Sequence, residues 1–107
     1  MKLTGSGDIE LDLKAQRIKG KVTGSGDVVL RGSTVDLDCE VTGSGDFQAT
    51  NLKAQQVTAT VSGSGDIEIH ASEALQARVQ GSGDISYKGN PKKQNFKTFG
   101  SGSISSN

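Results

Sequence analysis

Five aspartates, Asp8, Asp27, Asp46, Asp66 and Asp84, each close a Gly-Ser-Gly-Asp tetrapeptide and recur with a near-constant spacing. A sixth copy, Gly100-Ser101-Gly102-Ser103, ends in Ser. The copies begin at residues 5, 24, 43, 63, 81 and 100, so successive starts are 19, 19, 20, 18 and 19 residues apart. Stacked repeats would set the carboxylates in a ladder along one edge, about 4.8 Å apart. Neighbours that close repel by somewhat under about 1 kcal/mol in water, and a bound Ca²⁺ would remove the repulsion.

The cation reading competes with a plainer one. The calcium-binding solenoid repeat Gly-Gly-x-Gly-x-Asp has nine residues and ligands on both sides. Here the second half of each period lacks Gly and Asp at the corresponding places. Ser and Asp side chains at a tight corner are instead expected to accept backbone N–H groups left unpaired there. The expectation is therefore no metal and no cofactor, with the ladder Asp8, Asp27, Asp46, Asp66 and Asp84 as the cation alternative.

Other reactive groups are few. His70 and Cys39 each stand alone in their residue type, so a Ser-His-Asp set would have to use His70, and a His/Cys metal site has too few members. Cys39 shares its repeat position with Gly20, Ala59 and Ala77 and reads as a small buried filler. His70 shares its position with Asp12, Arg31, Thr50 and Lys88 and is expected to face solvent. The carboxylate pairs Glu10 with Asp12 and Asp36 with Asp38 could act as acid and base on a glycosidic bond. Stacking supplies a simpler role, with Asp12 beside Arg31, Lys19 beside Asp38 and Lys21 beside Glu40. The only aromatic residues are Phe47, Tyr87, Phe96 and Phe99, too few for a lined sugar cleft. No catalytic residue is assigned.

The elements that position these groups follow from the apolar pattern. One and three places after each motif stand Ile9 and Leu11, Val28 and Leu30, Phe47 and Ala49, Ile67 and Ile69, Ile85 and Tyr87. Before the next motif stand Ile18, Gly20 and Val22; Leu37, Cys39 and Val41; Val57, Ala59 and Val61; Leu75, Ala77 and Val79. Each set alternates with polar residues, the mark of a strand with one face inward. Two strands per repeat and a period near 20 predict an all-β fold: a parallel β-helix, or β-solenoid, of two facing parallel sheets with about 19 residues per coil and five to six coils. Right-handed crossover is expected.

Spacing is constant through the motif and variable at the opposite corner. Ile9 to Ile18 is nine residues, Phe47 to Val57 ten and Ile67 to Leu75 eight. The variable corner, seen in Leu13-Lys14-Ala15-Gln16, Asn51-Leu52-Lys53-Ala54 and Ala71-Ser72-Glu73-Ala74, reads as a surface loop. The glycines Gly5, Gly7, Gly24, Gly26, Gly43, Gly45, Gly63, Gly65, Gly81, Gly83, Gly100 and Gly102 read as structural turns, supplying positive φ and close backbone approach.

One period runs end to end, so residues 1–107 form a single domain, with 85–107 as a carboxyl-terminal cap in which Phe96 takes the small-residue position. At the other end, Met1-Lys2-Leu3-Thr4 reads as the tail of a preceding coil, leaving an open strand edge suited to pairing with another copy. Twelve basic and twelve acidic residues cancel, and no basic run is interleaved with aromatics, so nucleic acid is not expected as a partner. No stretch reaches the roughly 18 apolar residues of a membrane span, and no signal-peptide core is visible. A single cysteine leaves the redox compartment open.

The run of Gly-Ser-Gly-Asp units followed by apolar-x-apolar, the Leu52-Lys53-Ala54-Gln55-Gln56-Val57 corner, and the ending Gly81-Ser82-Gly83-Asp84-Ile85-Ser86-Tyr87-Lys88-Gly89-Asn90-Pro91 with Gly100-Ser101-Gly102-Ser103-Ile104 resemble the putative autotransporter adhesin, head GIN domain family. The resemblance covers essentially the whole chain. It implies a secreted or surface-exposed bacterial protein with a β-helical fold, Gly-Ser-Gly turns between two sheets, a role in cell adhesion and no catalytic residues. By length the chain resembles the carboxyl-terminal half of such a domain. The function expected is a non-enzymatic surface structural or adhesion module with an unidentified surface protein or glycan as partner. The alternatives are a homo-oligomer stacking end to end into filaments and a carbohydrate-binding or carbohydrate-cleaving β-helix.

Overall fold

The alternation of β-branched and polar residues becomes a stack of parallel coils. In the computed structural model, residues 2–5 and 7–106 are described, and strands carry all the regular structure among them. In chain order these are β1 (Lys2–Gly5), β2 (Asp8–Gly24), β3 (Asp27–Gly43), β4 (Asp46–Gly63), β5 (Asp66–Gly81), β6 (Asp84–Lys88), β7 (Lys93–Phe99) and β8 (Ser103–Ser106). All pairings are parallel in the order β1-β2-β3-β4-β5-β6-β8, with β7 also on β5. The result is a β-solenoid of about five coils.

Each coil stacks like residue on like. Ile9, Val28, Phe47, Ile67, Ile85 and Ile104 form one column, and Ile18, Leu37, Val57 and Leu75 another. The inward columns make one continuous core in which Val22, Leu30, Phe47, Ile67, Ile69 and Ile85 are wholly buried. Fully burying such a side chain is worth about 1.5–3 kcal/mol, so these columns are the main stabilising contribution.

The motif corner satisfies its own backbone. Ser44 N–H donates to the Gly24 carbonyl of the coil before at 3.1 Å, and Asp46 N–H donates to the Gly26 carbonyl at 3.1 Å. The same pair of bonds recurs at the next corner, where Ser64 donates to Gly43 and Asp66 to Gly45. The sequence suggests capping by Ser and Asp side chains, whereas the main chain of the neighbouring coil accepts most of these protons. The two glycines of a corner serve different needs. Gly43 adopts φ +106°, which favours glycine, while Gly45 is required by space. A Cβ at Gly45 would stand 2.5 Å from the Gly26 oxygen and 2.7 Å from Val22 Cγ1.

The opposite corner departs from the expected surface loop. Leu52, Ala54 and Ala71 there are buried, and Thr34 is buried with its hydroxyl donating to the Asp36 carbonyl at 3.1 Å. Pairing runs on through this corner, so each of β2 to β5 is one bent strand spanning both flanks. Changes in coil length are absorbed by register shifts between Val29 and Arg31, between Ala49 and Lys53, and between Ala54 and Gln56. Because the inward residues move with the shifts, aligned repeats show no column.

At the first coil, β1 pairs only with Lys21–Gly24, and no described residue pairs with the Asp8–Arg17 edge on that side. Leu11, expected inward, is accordingly 36% exposed. At the other end Phe96 sits over Ala77 as expected, its ring 5.5 Å from that of Tyr87.

The two glycine requirements separate by mutation. Gly45→Val should cost about 3 kcal/mol or more through overpacking. Gly5→Ala, at φ +99° with nothing within 4 Å of the new Cβ, should cost about 1–2 kcal/mol of backbone strain. Urea denaturation followed by circular dichroism measures both, and equal losses would contradict the crowding at Gly45.

Candidate functional site

The aspartate ladder forms as its spacing requires, with Asp8, Asp27, Asp46, Asp66 and Asp84 in consecutive register and Ser103 completing the column. Asp84 shows what the carboxylate does locally: its Oδ1 accepts from Ser103 N–H at 3.2 Å and from Ser103 Oγ at 3.0 Å. In the middle of the ladder, burial raises the Asp46 carboxyl above its ordinary range, and the charges of Asp27 and Asp66 raise it further. A hydrogen bond from the Asp66 backbone N–H opposes the shift, and Glu68 adds a small raising effect. The carboxylates stand in single file, one per coil. Among the described residues no group of three or more His, Cys, Asp or Glu could hold a metal ion.

The outward carboxylate pairs face cations. Arg31 Nε donates to Asp12 Oδ1 at 2.9 Å, and Arg17 Nε lies 3.9 Å from Asp36 Oδ2. Lys19 stands opposite Asp38 and Lys21 opposite Glu40 in the ladder. Arg17, Lys19 and Lys21 thus form a basic stripe against the acidic stripe Asp36, Asp38 and Glu40. Such exposed pairs contribute about 0.2–1 kcal/mol each.

Cys39 is wholly buried, and burial, with the Asp38 charge second, pushes its thiol far above the usual range. It is the inert filler that its column suggests. His70 differs from expectation. The register shift brings Lys53, not Thr50, opposite it, and Lys88 pairs on its other side. Its ring is half-buried, with Nδ1 enclosed and without a hydrogen-bond partner, and a Cβ at Gly89 would lie 3.4 Å from Cε1.

A feature outside the sequence reading lies on the outer face of the second flank. Here β4, β5 and β7 are adjacent, and alternation sends Thr58, Gln76 and Asn95 outward in one column and Thr60, Arg78 and Lys97 in the next. Between the columns runs a trough of about 250 Å³ floored by Ala59 and Ala77. The Arg78 guanidinium is held from two sides. With the Gln80 amide turned so that its oxygen faces the guanidinium, Nη2 and Nε donate to it at 2.9 and 3.3 Å, and Cζ lies 5.6 Å from the Phe99 ring centroid. Phe99 itself is 54% exposed. Among the described residues no carboxylate forms an ion pair with Arg78 or Lys97. The outward alternation of Thr, Gln and Arg and the seat of Phe96 over Ala77 were visible in the sequence, but the contacts of Arg78 with Gln80 and Phe99 were not.

Comparison with known proteins places the geometry in a group. The family described as putative auto-transporter adhesin, head GIN domain, matches residues 1–91. A crystal structure of a putative adhesin from Bacteroides fragilis superposes with a TM-score of 0.91 at 32% identity, covering 99% of this chain and 53% of that one. A putative lipid binding protein from Parabacteroides distasonis superposes with a TM-score of 0.80 at 27% identity, covering 99% of this chain and 52% of that one. The chain therefore spans about half the length of these solved relatives. No curated protein matches it.

The Asp46 shift has a definite sign. A carboxyl whose folded-state pKa is raised disfavours the folded state when ionised, and that penalty disappears as pH falls through the folded pKa and below the ordinary 3.8. Asp46→Asn should therefore stabilise the protein at pH 7 by about 0.2–1 kcal/mol, the scale of a like-charge cross-strand pair, and the gain should vanish in acid. Melting curves at several pH values test this, and a pH-independent difference would refute it. In the same assay, millimolar calcium and chelator should give identical midpoints.

Proposed function

The chain belongs to the putative auto-transporter adhesin, head GIN domain family, and from that premise we propose that it is a non-enzymatic adhesion module presented at a bacterial cell surface. The observation that carries the reading is the rigidity of its outer faces. Side chains on a paired parallel ladder are held at fixed spacing, so a recognition surface built on them loses little freedom when it binds. The two acidic pairs that resembled acid and base support the same conclusion. Asp12 and Asp36 each face an arginine across the ladder and are engaged in ion pairs. Among the described residues no helix is long and apolar enough to cross a membrane. Family membership is what supports presentation at the surface.

Beads coated with the chain should adhere to target cells above a background set by a denatured control. Soluble chain should compete, and absence of adherence to every cell type tried would count against the reading.

A further inference from the structure

The trough on the outer face of the second flank has the chemistry of a ligand site. Its walls are hydroxyl, amide and cationic groups, and its floor is the backbone over Ala59 and Ala77. Hydroxyls and amides both donate and accept, which suits the hydroxyl groups of a sugar better than the acyl chain of a lipid. The trough crosses three coils, two rises of about 4.8 Å each, so it is about 10 Å long. That is the length of a short oligosaccharide lying along the solenoid axis.

Charge selects among oligosaccharides. Arg78 is fixed by Gln80 and the Phe99 ring and lacks a carboxylate partner among the described residues. Its remaining N–H groups are free to point along the trough, and Lys97 lies in the next coil of the same column. A guanidinium held in one plane presents parallel donors that match a carboxylate. At the opposite end the threonines of β4 are followed by Asp38 and Glu40, which pair with Thr58 and Thr60. An anionic chain is attracted at Arg78 and Lys97 and repelled beyond Thr58. That gradient fixes where the ligand stops. The exposed Phe99 ring beside Arg78 offers an apolar face on which a sugar ring can stack.

We propose that the trough between the Thr58–Gln76–Asn95 and Thr60–Arg78–Lys97 columns binds a short acidic glycan, with a uronate carboxylate on Arg78. This rests on the adhesion reading and gives it a ligand class. The site is built on paired strands, with its arginine positioned before any ligand arrives.

The test uses the 107-residue chain with trigalacturonic acid as the probe and its methyl ester as a neutral control of nearly the same shape. Calorimetry should show binding of the acid and at least about tenfold weaker binding of the ester, the scale expected for losing a charge-assisted hydrogen bond. Amide resonances of Thr58, Gln76, Arg78, Asn95 and Phe99 should move during titration. Arg78→Gln should lower affinity about tenfold or more, and Phe99→Ser should lower it too, with circular dichroism unchanged because both side chains are exposed. Lys21→Gln, on the same flank but outside the trough, should bind as the parent does. Equal affinity for acid and ester, or unchanged binding by Arg78→Gln, would overturn the proposal. So would binding to phosphatidylglycerol vesicles that depends on Arg78 while trigalacturonic acid does not bind, which would assign the trough to a membrane. Beads that adhere to cells equally well with Arg78→Gln would leave the adhesion module standing and remove this site from it.

Discussion

The close approach of one motif corner to the next is the constraint on which the rest of this molecule depends. At Gly45 the backbone comes so near Gly26 that a single methyl group would collide with its carbonyl oxygen. That nearness is what allows Asp46 N–H to reach Gly26 and Ser44 N–H to reach Gly24. A corner further from its neighbour would leave these donors buried or half-buried without partners, at a cost of about 1–3 kcal/mol each. The hydrogen bonds set the register of adjacent coils at the corner, and the flanking strands inherit it. Inward columns of Val, Ile and Leu then coincide along the axis and bury one another.

In-register stacking has a second consequence, which is electrostatic. Whatever occupies a position in one coil meets the same position in the next. Where the type repeats and is charged, as in the aspartate column, like charges accumulate, and at Asp46 in the middle of that column they add to burial, the larger cause, in raising the carboxyl. Where the sign alternates, as from Arg17 to Asp36 or from Asp12 to Arg31, the same geometry gives attraction. At the end of the column a local partner offsets the repulsion. Asp84 accepts both the amide and the hydroxyl of Ser103, whereas at Asp46 burial and the neighbouring charges outweigh the hydrogen bond from the Asp66 amide. At Asp84 two hydrogen bonds to a charged group, at about 1.5–3 kcal/mol each, outweigh a solvent-screened repulsion below about 1 kcal/mol.

These physical differences explain what could be read from the chain. The Ile9, Val28, Phe47, Ile67 and Ile85 column was legible because constant spacing from the motif aligns it, and the ion pair of Asp12 with Arg31 followed from the same arithmetic. Leu52, Ala54 and Ala71 were illegible as core for the converse reason. Bulges at that corner displace inward residues by one or three places between β3 and β5, so counting forward from the motif does not align them although burial is complete. His70 belongs to the same failure. Its expected neighbour Thr50 is displaced by the shift that brings in Lys53. The seat of Phe96 over Ala77 already set Asn95 beside Gln76 and Lys97 beside Arg78, but the trough between those columns was not legible because periodicity reports which residues face outward and not the groove their side chains leave.

A solenoid of this kind separates its architecture from its recognition chemistry. Inward positions and motif glycines are fixed by packing and close approach, and a change there is felt along the stack. Outward positions on the flanks touch only their counterparts one coil away, so Thr58, Gln76 or Lys97 can differ from coil to coil at little cost to the fold. Rigidity and variability therefore reside in the same strand on alternate residues. The geometry of the outer face is supplied by the core, and its specificity by side chains that the core does not constrain. Where such a face also carries an arginine positioned without a carboxylate, as at Arg78, the ladder has already met the ordering cost that a flexible loop would incur on binding.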